Sequence, residues 1–258
     1  MLLNAAWRAG VVLVCFSAFS LGGLLISLLL FPLLRLLPGD RHAQERRARG
    51  VVRLSFAALL CVLQAARILR MEVRNGTRLG QPGAVLVLAN HPSYLDVVVL
   101  VAHVRDAVCV VKSKFWSNPF FGGVVRAAGY IRNDQPERLV GDCAERLAAG
   151  LPLIMFPEGT RSAQGQPLHF VRGAAHIALA TGVPIQPVLL AYEPAVLPRG
   201  AKWYQLPLQA SRVSVDVLPR TDAGTLLTTQ PRPGARRLTQ ALERFFTDRL
   251  ECHERPAA

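Results

Sequence analysis

A long uncharged segment near the amino terminus constrains the fold of this 258-residue chain more than any other feature. No charged residue occurs from Ala9 to Leu34. A helix rises about 1.5 Å per residue, so this segment is long enough to cross the roughly 30 Å hydrocarbon core of a bilayer. A cleaved signal peptide would have a shorter apolar region followed by a recognisable cleavage site. The segment therefore predicts a transmembrane helix over about 9–36.

The charges that flank this segment predict its orientation. Arg8 is the only charged side chain before it, whereas a cluster of arginines follows it closely: Arg35, Arg41, Arg46, Arg47 and Arg49. Flanks rich in positive charge stay on the cytoplasmic side of a membrane. We therefore expect an inner (cytoplasmic) membrane protein whose remaining residues lie on the cytoplasmic face.

A second apolar segment, residues 51–71, is interrupted by arginine and glutamine side chains. This pattern is typical of a helix that lies at the membrane interface. Pro32 and the turn at Pro38–Gly39 leave a re-entrant pair of helices open as an alternative. We predict that residues 1–71 form a membrane anchor and that residues 72–258 form a folded domain.

Beyond residue 83, short β-branched segments alternate with longer helical patterns. The predicted strands are 84–89, 107–111, 153–156, 185–191 and 213–218. The predicted helices are 94–104, 118–128, 136–149, 171–181 and 234–251. Such alternation is typical of an α/β fold in which helices cover a sheet.

The composition is strongly basic and rich in apolar residues. Lysine and arginine number 30 against 17 acidic residues, which gives a net charge of +13, and hydrophobic residues make up 51% of the chain. A surface of this charge attracts polyanions such as nucleic acid, anionic lipid or an acidic carrier protein. The five cysteines are scattered, so we expect free thiols, and no cluster of His, Cys and Asp has the spacing of a metal site.

The segment from Asn90 to Asp96 directly follows a predicted buried strand and begins a predicted helix. Pro92 favours the first turn of a helix and keeps the preceding residue out of helical conformation, so His91 is expected on the loop. Asp96, on the following turn, then reaches back to the His91 ring. A carboxylate that holds one ring nitrogen leaves the other free to remove a proton from a hydroxyl group. The pair is a candidate general base, although a helix cap followed by a first-turn acid has the same spacing.

A second polar segment, residues 156–162, ends another apolar segment. Ligands bind at strand ends in open α/β sheets. Gly159 permits a close backbone approach, and Arg161 presents a planar fork that matches a phosphate group. A polar turn with an ion pair between Glu158 and Arg161 is the simpler interpretation of this segment alone.

These two segments, in this order and about 65 residues apart, resemble the first and third sequence blocks of the glycerolipid acyltransferase family, which includes the 1-acylglycerol-3-phosphate acyltransferases. Residues 129–134 resemble the second block and residues 183–188 the fourth. The resemblance covers roughly residues 70–195. It implies an α/β fold with a mixed, mostly parallel sheet flanked by helices, of the glycerol-3-phosphate acyltransferase type, preceded by N-terminal membrane helices.

The resemblance also implies a reaction. An acyl group would pass from a thioester to the free hydroxyl of a lysophospholipid, first of all 1-acyl-sn-glycerol-3-phosphate, to give phosphatidic acid. His91 would act as the base and Asp96 would orient it. The residues that would bind the acceptor are Glu158, Gly159, Thr160, Arg161 and Arg132. The expected partners are the bilayer, the lysophospholipid and an acyl carrier protein or coenzyme A thioester (acyl-ACP or acyl-CoA), with no other cofactor.

Three other functions stay open at this stage. An acyltransferase for another acceptor, such as lyso-ornithine lipid, would use the same residues because the shape of the pocket decides the acceptor. A lipid or thioester hydrolase would need a nucleophile, and the sequence has no G-x-S-x-G segment. A membrane-tethered nucleic-acid binder would account for the basic charge, but the sequence has no recognised binding motif, so we expect no nucleic-acid partner.

Overall fold

A single mixed sheet forms the centre of the computed structural model, which describes residues 2–162, 166–201, 207–227 and 234–254. The strands in these ranges are β1 (Leu69–Arg74), β2 (Leu86–Ala89), β3 (Val108–Val111), β4 (Ile131–Arg132), β5 (Leu153–Met155), β6 (Ile185–Glu193) and β7 (Ser211–Val217). Their order across the sheet is β1-β7-β6-β2-β5-β3-β4. Strands β2 to β6 run parallel to one another, whereas β7 is antiparallel to β6 and parallel to β1.

Helices surround this sheet and precede it. The longer helices of the described ranges are α1 (Leu2–Leu25), α3 (Arg41–Ala65), α4 (Leu95–His103), α6 (Pro136–Ala148), α7 (Gly173–Thr181) and α9 (Ala235–Glu254). Three short ones are α2 (Phe31–Arg35), α5 (Gly122–Ala127) and α8 (Ala223–Leu226). A π-helical turn, Ile26–Leu30, joins α1 to α2, and Asp40 caps the start of α3 by accepting from the Ala43 N–H.

The direction of the central strands decides where a site can form. Every residue of β2 and β5 is buried, as expected for parallel strands that helices cover on both faces. Because β2 to β6 run in the same direction, the loops that follow them meet at one edge of the sheet. Ligands bind at this edge in open α/β sheets, and both polar segments singled out in the sequence lie there.

The two N-terminal helical segments pack against each other. Trp7–Arg35 and Arg41–Ala65 are each long and apolar enough to cross a membrane, by length and composition. The ring of Phe19 in α1 lies 5.5 Å from the ring of Phe56 in α3 and 5.2 Å from that of Phe121, measured between centroids. The segment α1–α2 and helix α3 therefore form a helical hairpin.

Both ends of the first helix also contact the sheet domain. Near its start, the Arg8 guanidinium is buried and donates to four backbone carbonyls, those of Arg67, Ile68, Pro207 and Gln209. Near its end, glycines allow a close approach: a Cβ at Gly23 would lie 2.9 Å from the Phe120 carbonyl oxygen, and one at Gly123 would lie 2.5 Å from Ser27. Helix α1 therefore does not leave the domain as an isolated span, and its contacts favour the paired arrangement that the sequence left open.

The predicted fold, an α/β arrangement with a mixed, mostly parallel sheet, is confirmed. The five predicted strands correspond to β2, β3, β5, β6 and β7, whereas β1 and β4 were not predicted. Strand β1 begins at Leu69, within the segment assigned to an interfacial helix over about 51–71. The helix there instead ends at Ala65, and Arg67 adopts a positive φ of 57° that stops helical continuation.

Because β1 begins at Leu69, the sheet begins earlier in the chain than the predicted start of the folded domain. The predicted boundary between residues 71 and 72 falls inside β1, which pairs with β7 along its whole length. Because β1 lies at the sheet edge and pairs with a strand far along the chain, a short alternation of apolar residues is its main local signal. That the anchor and the remaining residues act as separate domains stays a prediction.

Candidate active site

His91 and Asp96 meet at the carboxyl end of β2. His91 lies on the loop after this strand, and Asp96 lies in the first turn of α4. The His91 Nδ1 and Asp96 Oδ2 atoms are 2.8 Å apart. Asp96 is fully buried, whereas 16% of the His91 side chain is exposed. The two residues are therefore placed as their spacing predicted, with a carboxylate on one ring nitrogen and the ring at the surface of the site.

The loop between them holds the carboxylate in place. Helix α4 begins at Leu95, three residues later than Pro92, so the proline lies in a turn before the helix. The Ser93 N–H donates to Asp96 Oδ2 at 2.7 Å, and the Ser93 hydroxyl donates to the Val196 carbonyl at 2.7 Å. One carboxylate oxygen thus accepts from both a backbone N–H and the imidazole, which favours the tautomer protonated at Nδ1.

Glu158 connects the two polar segments. Its Oε1 accepts from the His91 backbone N–H at 2.8 Å, and its Oε2 accepts from the Ser162 hydroxyl. The Ser162 N–H in turn donates to the His91 carbonyl at 2.8 Å. Only 9% of Glu158 is exposed. Both carboxylate oxygens, predicted to bind the acceptor, are therefore engaged by groups of the protein that hold the backbone of His91.

The His91 ring has one covered face. The ring of Phe156, the first residue after β5, stacks on it with 4.1 Å between centroids and 23° between planes. Among the described residues, none is hydrogen-bonded to His91 Nε2. Stacking and the bond to Asp96 fix the ring, and the remaining nitrogen is available to a substrate hydroxyl.

Burial has the largest effect on the pKa of the Asp96 and Glu158 carboxyl groups. It raises the pKa of Asp96, and the hydrogen bonds from His91 and Ser93 oppose this increase. Burial also raises the pKa of Glu158, with the hydrogen bonds from Ser162 and His91 opposing the increase and the charge of Asp96 adding to it. A charged carboxylate loses hydration when it is buried, and the donors around these two restore only part of it.

Gly159, Thr160 and Arg161 follow Glu158 at the same sheet edge. Gly159 has a φ of 66° and is exposed, and a Cβ there would meet only Val171 at 3.6 Å. The Arg161 guanidinium lies 3.5 Å from the centroid of the Tyr94 ring, and its Nη1 donates to the carbonyls of Leu197 and Pro198. Its hydrogen bonds to residues of the described ranges use only this one nitrogen, so the other guanidinium nitrogens are available to donate to an anion.

Arg132 stands apart from this group. It ends β4, the edge strand that lies three positions from β2 and hence about 14 Å from it at the usual strand spacing. Its guanidinium forms an ion pair with Asp134 and lies 5.5 Å from the Trp116 ring. The structure therefore brings His91, Asp96 and Glu158 together but does not join Arg132 to them.

Several supporting residues had no assigned role in the sequence. The Asn90 side chain pairs with the backbone of Leu190, donating to its carbonyl and accepting from its N–H, both at 2.8 Å. This pair fastens the end of β2 to β6. Tyr192, near the end of β6, is buried beside Asp96. The only sequence signal for these residues was their position at predicted strand ends.

The described ranges contain no group of three or more His, Cys, Asp or Glu side chains arranged to hold a metal ion. That the chain uses no metal and no resident cofactor stays a prediction.

Comparisons with known proteins match this chain to acyltransferases. Residues 70–191 match the family model named Acyltransferase. A 1-acyl-sn-glycerol-3-phosphate acyltransferase of Helicobacter pylori is 36% identical over 115 residues, covering 42% of this chain and 48% of that protein. A lyso-ornithine lipid O-acyltransferase of Rhizobium meliloti is 33% identical over 141 residues, covering 50% of this chain and 48% of that protein.

A solved structure matches over the whole length. The crystal structure of the 1-acyl-sn-glycerophosphate acyltransferase from Thermotoga maritima has a TM-score of 0.70 with 19% identity, covering 100% of this chain and 98% of that one. At this identity the match shows the fold. The chain spans about half the length of the curated relatives that it matches, 48% and 42% for two of them. The family model nevertheless covers both polar segments of the site, and residues 70–191 of this chain form a domain of the Acyltransferase family.

Proposed function

We propose that this chain transfers an acyl group from a thioester to the free hydroxyl of a lysophospholipid, with His91 as the general base. The observation that carries the proposal is the His91–Asp96 pair, 2.8 Å apart at the carboxyl end of β2, with the second ring nitrogen available. Two relatives are named as a 1-acyl-sn-glycerol-3-phosphate acyltransferase and a lyso-ornithine lipid O-acyltransferase. The enzymatic reaction of the whole chain is inferred from these two observations together.

The chemistry requires little beyond a base and correct placement, because a thioester is already an activated acyl group. His91 Nε2 removes the proton of the acceptor hydroxyl as the hydroxyl oxygen attacks the thioester carbonyl carbon. The C–O bond forms, the C–S bond breaks, and the leaving thiolate takes up the proton from the imidazolium. Holding both reactants in place supplies much of the rate enhancement.

The acceptor that fits best is 1-acyl-sn-glycerol-3-phosphate, which would yield phosphatidic acid. Arg161 has guanidinium nitrogens beyond the one that binds Leu197 and Pro198, and these suit the phosphate of such an acceptor. Gly159 and Thr160 lie beside it and would contact the glycerol. Arg132, held by Asp134, would act further from the reacting hydroxyl. Lyso-ornithine lipid is the second candidate acceptor, because named relatives act on it at a similar identity.

Acyl-ACP and acyl-CoA both suit a chain with a net charge of +13, because each donor carries negative charge. The helical hairpin would attach the chain to the cytoplasmic face of the inner membrane. Its first segment exposes large apolar side chains that suit a bilayer: Leu13, Val14, Phe16, Leu21, Leu25, Leu28, Leu29 and Leu33. An acyl chain held in the bilayer would then lie close to the catalytic domain.

The test compares lipid products in membranes that contain the wild type, His91→Ala or His176→Ala. Each is incubated with acyl-ACP or acyl-CoA and with lysophosphatidate or lyso-ornithine lipid, and the products are measured by mass spectrometry. His176 is an exposed histidine on α7 and serves as the matched control. We expect His91→Ala to lower product formation roughly 10²-fold to 10⁴-fold, the usual contribution of a general base. The control keeps wild-type activity.

Two outcomes would contradict the proposal. If His91→Ala retained wild-type rates with every acceptor, the base would have to be another group. If the wild type released free fatty acid from the thioester equally fast with and without an acceptor, the chain would be a hydrolase. The acceptor that gives the highest rate identifies the substrate.

A further inference from the structure

The candidate base pair includes a buried carboxylate oxygen that nothing described so far holds in place. Asp96 is fully buried and its Oδ2 accepts two hydrogen bonds, from His91 and Ser93. Its Oδ1 has no hydrogen bond of ordinary geometry with any residue that the structure describes. Buried polar atoms are nearly always hydrogen-bonded, and a charged oxygen without a donor is especially costly.

A buried tyrosine hydroxyl lies beside this oxygen. The Tyr192 side chain is buried, and within the described part of the chain its hydroxyl also has no hydrogen bond of ordinary geometry. This hydroxyl interacts with the Asp96 carboxylate and with Ser93. The Ser93 hydroxyl already donates to the Val196 carbonyl and accepts from the Leu95 N–H. The free oxygen of Asp96 is therefore the stronger acceptor within reach.

The topology explains why these two groups meet. Strand β6 pairs directly with β2, with Ala89 opposite Val188. The Asn90 side chain extends this pairing, because it donates to the Leu190 carbonyl and accepts from the Leu190 N–H. Tyr192 follows two residues later and so lies beside the loop that carries His91. The pairing of β6 with β2 therefore sets the position of Tyr192 beside this loop.

We propose that Tyr192 is a positioning residue for the base: its hydroxyl donates to Asp96 Oδ1 and keeps the carboxylate in the orientation that accepts from His91 Nδ1. This inference rests on the proposed function. With Oδ1 held by Tyr192 and Oδ2 held by Ser93 and His91, the carboxylate cannot rotate away from the imidazole. His91 then keeps the proton on Nδ1 and leaves Nε2 as the proton acceptor.

The ionisation state of Asp96 also depends on the Tyr192 hydroxyl. The titratable groups that face Asp96 are His91 on its own loop, Glu158 from the segment after β5, and Tyr192 from β6. A donor stabilises the ionised carboxylate, so its removal makes the His91–Asp96 pair bind a proton at higher pH. Activity requires the pair without this proton. Loss of the hydroxyl therefore moves the acidic limb of the pH–rate profile to higher pH.

The test compares Tyr192→Phe with a matched control, Tyr130→Phe, in the full-length chain reconstituted in liposomes. Tyr130 is also buried with a hydroxyl that has no partner among the described residues, but it precedes β4 at the other side of the sheet. We expect Tyr192→Phe to lower kcat roughly tenfold, the usual effect of a hydrogen bond to a charged group. The KM for the lysophospholipid stays within about twofold, and the acidic limb of kcat/KM moves to higher pH. Tyr130→Phe keeps the wild-type kcat and pH profile.

A stability measurement separates this inference from the proposed function. Thermal midpoints are compared for the wild type, Tyr192→Phe, Asp96→Ala and the double variant at pH 8. If the hydroxyl acts on the carboxylate, Tyr192→Phe lowers the midpoint in the wild type but not in the Asp96→Ala background. Additive shifts, or a Tyr192→Phe enzyme with the kcat and pH profile of Tyr130→Phe, would overturn the inference. The stability cycle remains informative even if none of the variants has acyltransferase activity.

Discussion

Glu158 allows the sharpest test of how this site is assembled. Its two carboxylate oxygens accept from the His91 N–H and the Ser162 hydroxyl, and so they join the two polar segments of the site. We expect it to act by holding His91 rather than by binding the acceptor. Two substitutions separate these roles: Glu158→Gln keeps the shape and one acceptor oxygen for His91, whereas Glu158→Ala removes both bonds.

The expected magnitudes follow from the contacts. Glu158→Ala leaves the His91 N–H without its partner in a buried position, which costs about 1–3 kcal/mol, and removes the bond to Ser162, worth about 1 kcal/mol. The free energy of unfolding should fall by about 3 kcal/mol in total, or roughly 6–12 °C in the thermal midpoint for a domain of this size. Glu158→Gln should change it by less than about 1 kcal/mol, because removing a buried charge offsets the weaker bonds.

The kinetic assay separates the two roles directly. If Glu158 positions His91, Glu158→Ala lowers kcat roughly tenfold to a hundredfold and changes the KM for the lysophospholipid little. Glu158→Gln keeps most of the wild-type kcat. The reasoning would be refuted if Glu158→Gln raised the KM for the acceptor tenfold or more at unchanged kcat, since that pattern indicates a lost contact with the substrate.

Two further predictions concern stability. Burial raises the pKa of Asp96 above 3.8, so its contribution to the free energy of unfolding is fully present below about pH 4 and is lost as the pH rises through the folded-state pKa. In urea titrations, the stability advantage of the wild type over Asp96→Asn should therefore shrink from pH 4 to pH 8. A difference that stays constant with pH would contradict this prediction. Gly129 has a φ of 67°, and a Cβ there would lie 2.7 Å from the buried Glu45 carboxylate, so Gly129→Ala should lower the free energy of unfolding by about 2–4 kcal/mol. Gly141→Ala is its matched control, because a Cβ there would meet no atom within 4 Å in the described structure outside its own helix backbone and chain neighbours, and alanine should stabilise α6 by about 1 kcal/mol. Equal thermal midpoints for the two variants would contradict the packing argument.

The resemblance to an acyltransferase and the His91–Asp96 pair were accessible from the sequence because both depend on local spacing. A proline after the histidine and a helix start near the aspartate are enough to bring two side chains five residues apart into contact. The order of the polar segments identified the family, and the alternation of apolar patterns predicted five of the strands. Short-range geometry and local hydrophobic pattern carried these predictions.

The positions of Glu158, Arg132 and Tyr192 depend on contacts that no local pattern encodes. Glu158 bonds to His91 across 67 positions of the chain, and Asn90 bonds to Leu190 across 100. Strand order decided that Arg132 lies at the sheet edge and that Tyr192 lies next to the His91–Asp96 pair. The sequence contains the residues, but which strand ends are neighbours depends on the crossover connections.

At the amino terminus, too, the sequence determines some features and the tertiary structure decides others. Hydropathy alone determined that this segment is helical and suited to a bilayer, because length and apolar character are properties of the segment itself. Only the tertiary structure decided that α1 packs on α3 and that Arg8 ties it to four carbonyls at two distant positions of the chain. A buried guanidinium needs acceptors to replace its lost water, and the fold supplies them from residues that are not adjacent in sequence.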